Sequence, residues 1–488
     1  MEYSILPKDP AKKGSLGDST LYHLSLDRAF SIVCPHKEEK DYFLSELSRP
    51  LTCPDTILER QEILKDFMEH PSLFSDLTNL YSRFHELLIS NKEAGKGYLH
   101  IQVNRTQSLD SVKNQLQTYA LYCKRALLFV QALGQLLFDT PICSRGLIAL
   151  REGFLQISRA PDFQTMISYC TKFENFTTSG ALDFRISLGE DGYIAGVEWI
   201  EHEHIRITDP DLKIKRGFLF QRKQLEVYPC ARLYPQNLDF YEKMMLHALA
   251  PLSVFFRSIT DTLSRRFDSV YRELIFYSVA LKYTELLQKK NLKTIFPKIC
   301  AQRETEFRAL SDLYLAVSTD SVTPNDAKIA ANGTIVFGEN GSGKTVFLRS
   351  FATAQILTQA GLPIPAEYGT VKPYSKIVTQ FSSSEKEPIP GSGIGRFETE
   401  VKELSEMIDT LHPGTLIFLN ETFQSTSYEE GAEGLYHILR YLSDKGVFWV
   451  LVSHLHGLLP KFKENGVELL CTKENYQVCP IHTKNHSL

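Results

Sequence analysis

Gly338-Glu339-Asn340-Gly341-Ser342-Gly343-Lys344-Thr345 sets a lysine and a hydroxyl directly behind a glycine-rich run. Glycines let backbone N–H groups turn inward around a polyphosphate, and a helix starting behind them adds a favourable dipole. Lys344 is expected to reach the β- and γ-phosphates, and the Thr345 hydroxyl to ligate magnesium. The predicted chemistry is therefore binding of a nucleoside triphosphate with magnesium as its companion ion, and the loop alone does not distinguish a kinase, a GTPase or an ATPase. Such a loop needs a strand before it and a helix after it. Thr334-Ile335-Val336-Phe337 reads as the strand, and the run Val346–Ala352 as the helix.

Two further stretches narrow the chemistry. Leu416-Ile417-Phe418-Leu419 reads as a buried parallel strand and ends in Asn420-Glu421. A P-loop ATPase of the ABC type puts Asp-Glu at this place, the aspartate orienting magnesium and the glutamate polarising the attacking water. Here the glutamate is present and the aspartate is Asn420, which keeps a carbonyl acceptor and loses a charge. Magnesium binding is expected to weaken while Glu421 still serves the water. Val447-Phe448-Trp449-Val450-Leu451-Val452-Ser453-His454 is another buried strand. His454 at its end has two readings, a γ-phosphate sensor or a structural histidine.

These separated stretches resemble the MutS family, the DNA mismatch-repair ATPases. Gly338–Thr345, with Asn340 at the third position, is similar to the MutS loop Gly-Pro-Asn-Met-Gly-Gly-Lys-Ser. Thr323-Pro324-Asn325-Asp326 looks like the Val-Pro-Asn-Asp ahead of it. The run Asn420–Gly431 follows, without a gap, Asp-Glu-Ile-Gly-Arg-Gly-Thr-Ser-Thr-Tyr-Asp-Gly, and Ser453-His454 matches Thr-His. Upstream, Leu47–Asp55 and the helix after it look like the MutS core passage. Ser392–Glu400 stands where the family places a segment implied to reach a partner's nucleotide. Phe397 and Glu400 match there, whereas the serine and threonine are replaced by Gly395 and Arg396. Arg396, with Ser392, would serve the opposite γ-phosphate; an arginine in a glycine-rich loop is the alternative.

The resemblance implies a fold of two classes, α/β plus all-α. A helical core and lever is expected over 1–183, a small strand-rich clamp-like insertion over 184–235 and long lever helices over 236–305. An ABC-type P-loop ATPase domain would fill 306–488. It also implies an ATP-driven homodimer that couples nucleotide state to DNA binding in repair or recombination, on mismatched or branched DNA. The chain begins where the MutS core begins, so the mismatch-reading domain is expected to be missing. The alternative is a module that binds ATP and closes but hydrolyses it very slowly or not at all. An ABC-type ATPase of the SMC kind would need a long heptad coiled coil and a Leu-Ser-Gly-Gly signature, and the sequence has neither.

The elements that must carry these groups can be read directly. A helix is expected over Thr56–Glu69 with Asp55 as its cap, and another from Ser108 to Phe138, stopped by Pro141. Arg185–Leu188 and Tyr193–Ile200, joined through Gly189-Glu190-Asp191-Gly192, predict a hairpin. A long helical run covers Leu238–Lys290, broken at Pro251. The net charge of -4 over 488 residues gives no global pull on nucleic acid. Lys213, Lys215, Arg216, Arg222 and Lys223 form a local basic excess, either a DNA-backbone contact without base reading or a solvated loop.

A hydrophobic content of 43% with 23% charged is ordinary for a globular protein, and nine scattered cysteines without a CxxC pair predict reduced thiols and a cytoplasmic setting. No membrane partner is expected, since the greasiest stretches, near Ala126–Phe138 and Val447–Leu455, read as too short to span a bilayer. His202 and His204 would share a strand face without a third metal ligand and are read as a solvated face, whereas Cys471, Cys479 and His482 lack zinc spacing and are read as structural.

Overall fold

The structure, a computed structural model, describes residues 4–6, 9–98, 109–174, 183–188, 194–200, 238–302, 304–330, 333–381, 396–423, 427–463 and 466–481. In chain order the strands are β1 (Ser15–Leu16), β2 (Asp183–Leu188), β3 (Ile194–Ile200), β4 (Lys298–Ile299), β5 (Glu306–Leu310) and β6 (Asn325–Lys328). They continue with β7 (Thr334–Phe337), β8 (Tyr368–Val371), β9 (Lys376–Phe381), β10 (Thr415–Asn420), β11 (Phe448–Ser453), β12 (Glu468–Thr472) and β13 (Val478–Pro480). The fold is mixed α/β and falls into two units: Met1–Tyr81, Gln135–Gly153 and Phe267–Leu488 in the first, Ser82–Gly134 and Phe154–Arg266 in the second.

The first unit is built on a seven-stranded sheet in the order β1-β9-β10-β11-β7-β12-β13, parallel throughout except for β13. Its central strands are apolar runs because both faces are covered. Ile417 and Leu419 of β10 point into a core with Trp449, Leu451 and the helical Leu435, Leu439 and Leu442. Phe418, on the opposite face, meets Phe351 of the helix Lys344–Gln359, edge on at 6.0 Å. Each such buried side chain contributes roughly 1.5–3 kcal/mol. A four-stranded sheet, β4-β8-β5-β6, carries Asn325 at its end.

In the second unit, buried positions of the helix Leu109–Asp139 recur at Val112, Leu116, Ala120, Cys123, Leu127 and Val130, three or four residues apart. That spacing puts them on one face. Phe84 stacks on Phe129 with ring centroids 4.1 Å apart, and Phe129 meets Phe154 edge on. β2 and β3 pair antiparallel, Arg185 opposite Glu198, which is the expected hairpin.

Three expectations need correction. The helix after Cys53 is Pro54–Glu69, opened by the proline at its first turn, and Asp55 lies inside that turn and caps nothing. The helix Leu238–Lys289 runs unbroken through Pro251, because its length offsets one missing hydrogen bond. The greasy stretch near Ala126 belongs to a helix whose span Asp110–Asp139 is long and apolar enough to cross a bilayer by composition alone. Its buried stripe is nonetheless packed inside the protein. The basic residues Lys213, Lys215, Arg216, Arg222 and Lys223, together with His202 and His204, lie outside the described residues.

Candidate functional site

Strands β10, β11 and β7 are consecutive neighbours and run parallel, so their C-terminal ends open onto one edge of the sheet. The 338–345 loop leaves β7, Asn420 ends β10 with Glu421 after it, and His454 follows β11. Groups scattered over more than a hundred residues thus meet where parallel α/β sheets bind ligands.

The loop is shaped by its glycines. Gly341 sits at φ +81, and a Cβ there would have nothing within 4 Å, so that side of the loop faces open space. Lys344 is turned inward, its side chain only 3% exposed. Its Nζ donates to the Glu339 carbonyl at 2.7 Å and lies 3.2 Å from Glu421 Oε1. Thr345 Oγ1 donates to Asn420 Oδ1 at 3.1 Å. A cradle of turned backbone, a buried ammonium and a paired hydroxyl and carbonyl fits a polyphosphate with a hard cation. Lys344 would hold the phosphates, and Thr345 with Asn420 would hold magnesium.

The segment behind Glu421 is set by backbone strain and anchoring. Glu421 takes φ +52 and Phe423 φ +66, left-handed conformations that cost such residues about 1–3 kcal/mol each. The Glu421 N–H still bonds the Val452 carbonyl at 2.9 Å, keeping it in the sheet register. Thr422 Oγ1 donates to Gln380 Oε1 at 2.9 Å, and Phe423 is sunk in the core. Beyond it Ser427 caps the helix Tyr428–Asp444, accepting from Glu430 N and donating to Glu430 Oε2.

His454 stands slightly apart. Ser453 Oγ accepts from Leu455 N at 3.0 Å and turns the chain at the strand end. The His454 ring meets Tyr428 edge to face at 5.4 Å, and its Nδ1 is buried without a hydrogen-bond partner. The structure therefore joins Lys344, Thr345, Asn420 and Glu421 by direct contacts and leaves His454 beside them. Arg396 opens the helix Arg396–Asp409, with its side chain outside the described set, and Ser392 lies outside the described residues.

Sequence reasoning missed the loop's support. Thr472 Oγ1 donates to Ser342 Oγ at 2.6 Å, and Asn325 bridges to the β12–β13 hairpin, accepting from Val478 N at 2.7 Å and donating to the Tyr476 carbonyl at 3.1 Å. In the sequence, Asn325 is marked only by the resemblance. Thr472 carries no local signal, since only the β7–β12 pairing brings it near the loop.

Comparison with known proteins bears on the same stretch. Residues 334–478 match the family model of MutS domain V, which spans β7 through the start of β13. The DNA mismatch repair protein MutS of Persephonella marina is 22% identical over 437 residues, covering 84% of this chain and 49% of the relative. The chain carries the MutS family's domain V. The DNA mismatch repair protein MutS of Natronomonas pharaonis is 31% identical over 141 residues, 28% of this chain and 16% of the relative. MutS protein homolog 4 of Homo sapiens is 30% identical over 124 residues, 25% and 13% of the two chains. The chain thus spans less than half the length of these MutS relatives.

Proposed function

We propose that this chain is a MutS-family protein that binds ATP and magnesium at 338–345 and, as a homodimer, couples nucleotide state to DNA binding in repair or recombination. The observation that carries the reading is the contact set joining Lys344 to Glu421 and Thr345 to Asn420 at one sheet edge. Lys344 binds phosphate, and the backbone of Gly338, Glu339, Asn340, Gly341, Ser342 and Gly343 wraps it. Glu421 accepts a proton from water, His454 senses the terminal phosphate, and Arg396 and Ser392 serve the partner subunit's nucleotide. Bound magnesium would draw negative charge off the phosphates. The relatives' names as DNA mismatch repair proteins support a DNA partner. Lys213, Lys215, Arg216, Arg222 and Lys223 are proposed to touch the backbone of mismatched or branched DNA without reading bases.

A second reading is favoured by Asn420. Its neutral carbonyl receives the Thr345 hydroxyl where a carboxylate would add charge, which suits a module that binds ATP and hydrolyses it very slowly. Steady-state ATP hydrolysis by wild type, Asn420→Asp and Glu421→Ala separates the two. Turnover abolished by Glu421→Ala supports the ATPase, whereas turnover found only in Asn420→Asp supports the gated module. Turnover that survives Glu421→Ala unchanged contradicts both. Salt titrations with duplex and branched DNA test the partner, and no measurable affinity at low salt would remove it.

A further inference from the structure

Cys471 and Cys479 face each other across the β12–β13 pair, with Sγ atoms 3.6 Å apart. The Lys473 N–H bonds the Gln477 carbonyl two residues along, which makes Cys471 and Cys479 a hydrogen-bonded rung. Such rungs separate Cα atoms by about 5.5 Å, inside the span a disulfide bridges. Both thiols are partly exposed, whereas Cys34, Cys123 and Cys170 are buried.

What the rung supports is the nucleotide loop. Thr472, directly after Cys471, donates to Ser342 Oγ and lies 3.3 Å from the Phe337 carbonyl. A Cβ on Gly338 would strike Thr472 Oγ1 at 1.9 Å, so hairpin and loop are in close contact. β12 also pairs with β7, Cys471 opposite Phe337 at the loop's root.

We propose that Cys471 and Cys479 are a redox-sensitive dithiol whose closure by a low-molecular-weight disulfide loosens the phosphate loop. One cysteine thiolate attacks glutathione disulfide and releases a glutathione thiolate. The second cysteine then attacks the mixed disulfide and releases the other. A Cys471–Cys479 bond forms, both protein thiols lose their protons, and two electrons pass to glutathione. Drawing the sulfurs from 3.6 Å to about 2.05 Å moves the rung that holds Thr472 against Ser342. Burial, then the hydrogen bond with Cys479, push the Cys471 thiol up to about 11, which disfavours Cys471 as the attacking thiolate at neutral pH.

The test incubates the full chain in excess glutathione disulfide at about pH 8.5, where thiolate is more abundant, and maps disulfides by mass spectrometry after alkylation. Amide exchange over 338–345 and affinity for a fluorescent ATP analogue follow, with Cys479→Ser and Thr472→Val alongside. A 471–479 bridge, faster exchange in the loop and affinity about fivefold weaker are expected, all reversed by dithiothreitol. Cys479→Ser should not respond, and Thr472→Val should weaken affinity without oxidation. Free or singly glutathionylated thiols, or a bridge that leaves loop exchange unchanged, overturn the proposal. The affinity arm rests on the function proposed above; absent nucleotide binding in the reduced protein counts against that function, and bridge and exchange still decide the dithiol.

Discussion

Lys344 Nζ lies 3.2 Å from Glu421 Oε1, so the cation proposed to bind phosphate is held by the carboxylate proposed to serve water. Incoming phosphate must compete with or reorganise that pair. Replacing the carboxylate by an isosteric amide removes the competing charge and the proton acceptor together. Glu421→Gln should bind an ATP analogue about fivefold to tenfold more tightly, while any hydrolysis falls at least about 100-fold. Calorimetric titration beside a phosphate-release assay checks this; weaker binding in the variant would count against the competition.

Asn420 is proposed to set the response to magnesium. Its carbonyl accepts from Thr345, and a carboxylate in the same position would add a negative charge to a hard-cation site. Asn420→Asp should lower the magnesium concentration for half-maximal nucleotide binding by about tenfold. An unchanged magnesium dependence would mean that residue 420 does not serve the ion.

Arg349 and Asp312 tie the helix Lys344–Gln359 to the short helix Leu313–Ser318. Arg349 Nε and Nη2 donate to the two Asp312 oxygens at 2.8 and 2.9 Å, and Asp312 also accepts from Leu315 N to cap its own helix. Asp312 is 2% exposed, so Asp312→Ala leaves a largely buried cation and an open cap. The expected loss is about 3–5 kcal/mol in urea unfolding, with Asp312→Asn losing less because it still accepts. A loss below about 1 kcal/mol would show that the pair is replaced by water.

Glu273 anchors the N-terminal segment. It is 5% exposed and accepts from Ser4 Oγ at 2.6 Å, Ile5 N at 2.6 Å and Leu6 N at 3.1 Å. Glu273→Gln keeps the shape and loses the charge that shortens these bonds. It should cost about 1–3 kcal/mol and release residues 4–6 to faster amide exchange. Unaltered exchange there would contradict the anchoring role.

Much of the candidate site was legible in the sequence because its parts are local. A glycine-rich run between a strand and a helix, and polar residues closing apolar strands, each carry their signal within a dozen positions. The edges Thr334–Phe337 and Thr415–Asn420 follow from that. What could not be read was long-range. Lys344 pairing with Glu421, Thr472 bracing Ser342 and Cys471 facing Cys479 depend on strand order and register. Pro251 misled for a different reason: one lost hydrogen bond does not end a helix of 52 residues.

Equilibrium titration of the full chain with a non-hydrolysable magnesium–ATP analogue, beside Lys344→Ala, tests the central claim most directly. Saturable one-to-one binding to wild type is predicted, with affinity reduced about 100-fold when the ammonium is removed. Equal affinity in the two proteins, with folding of the variant verified by its unfolding transition, would contradict a phosphate site at 338–345.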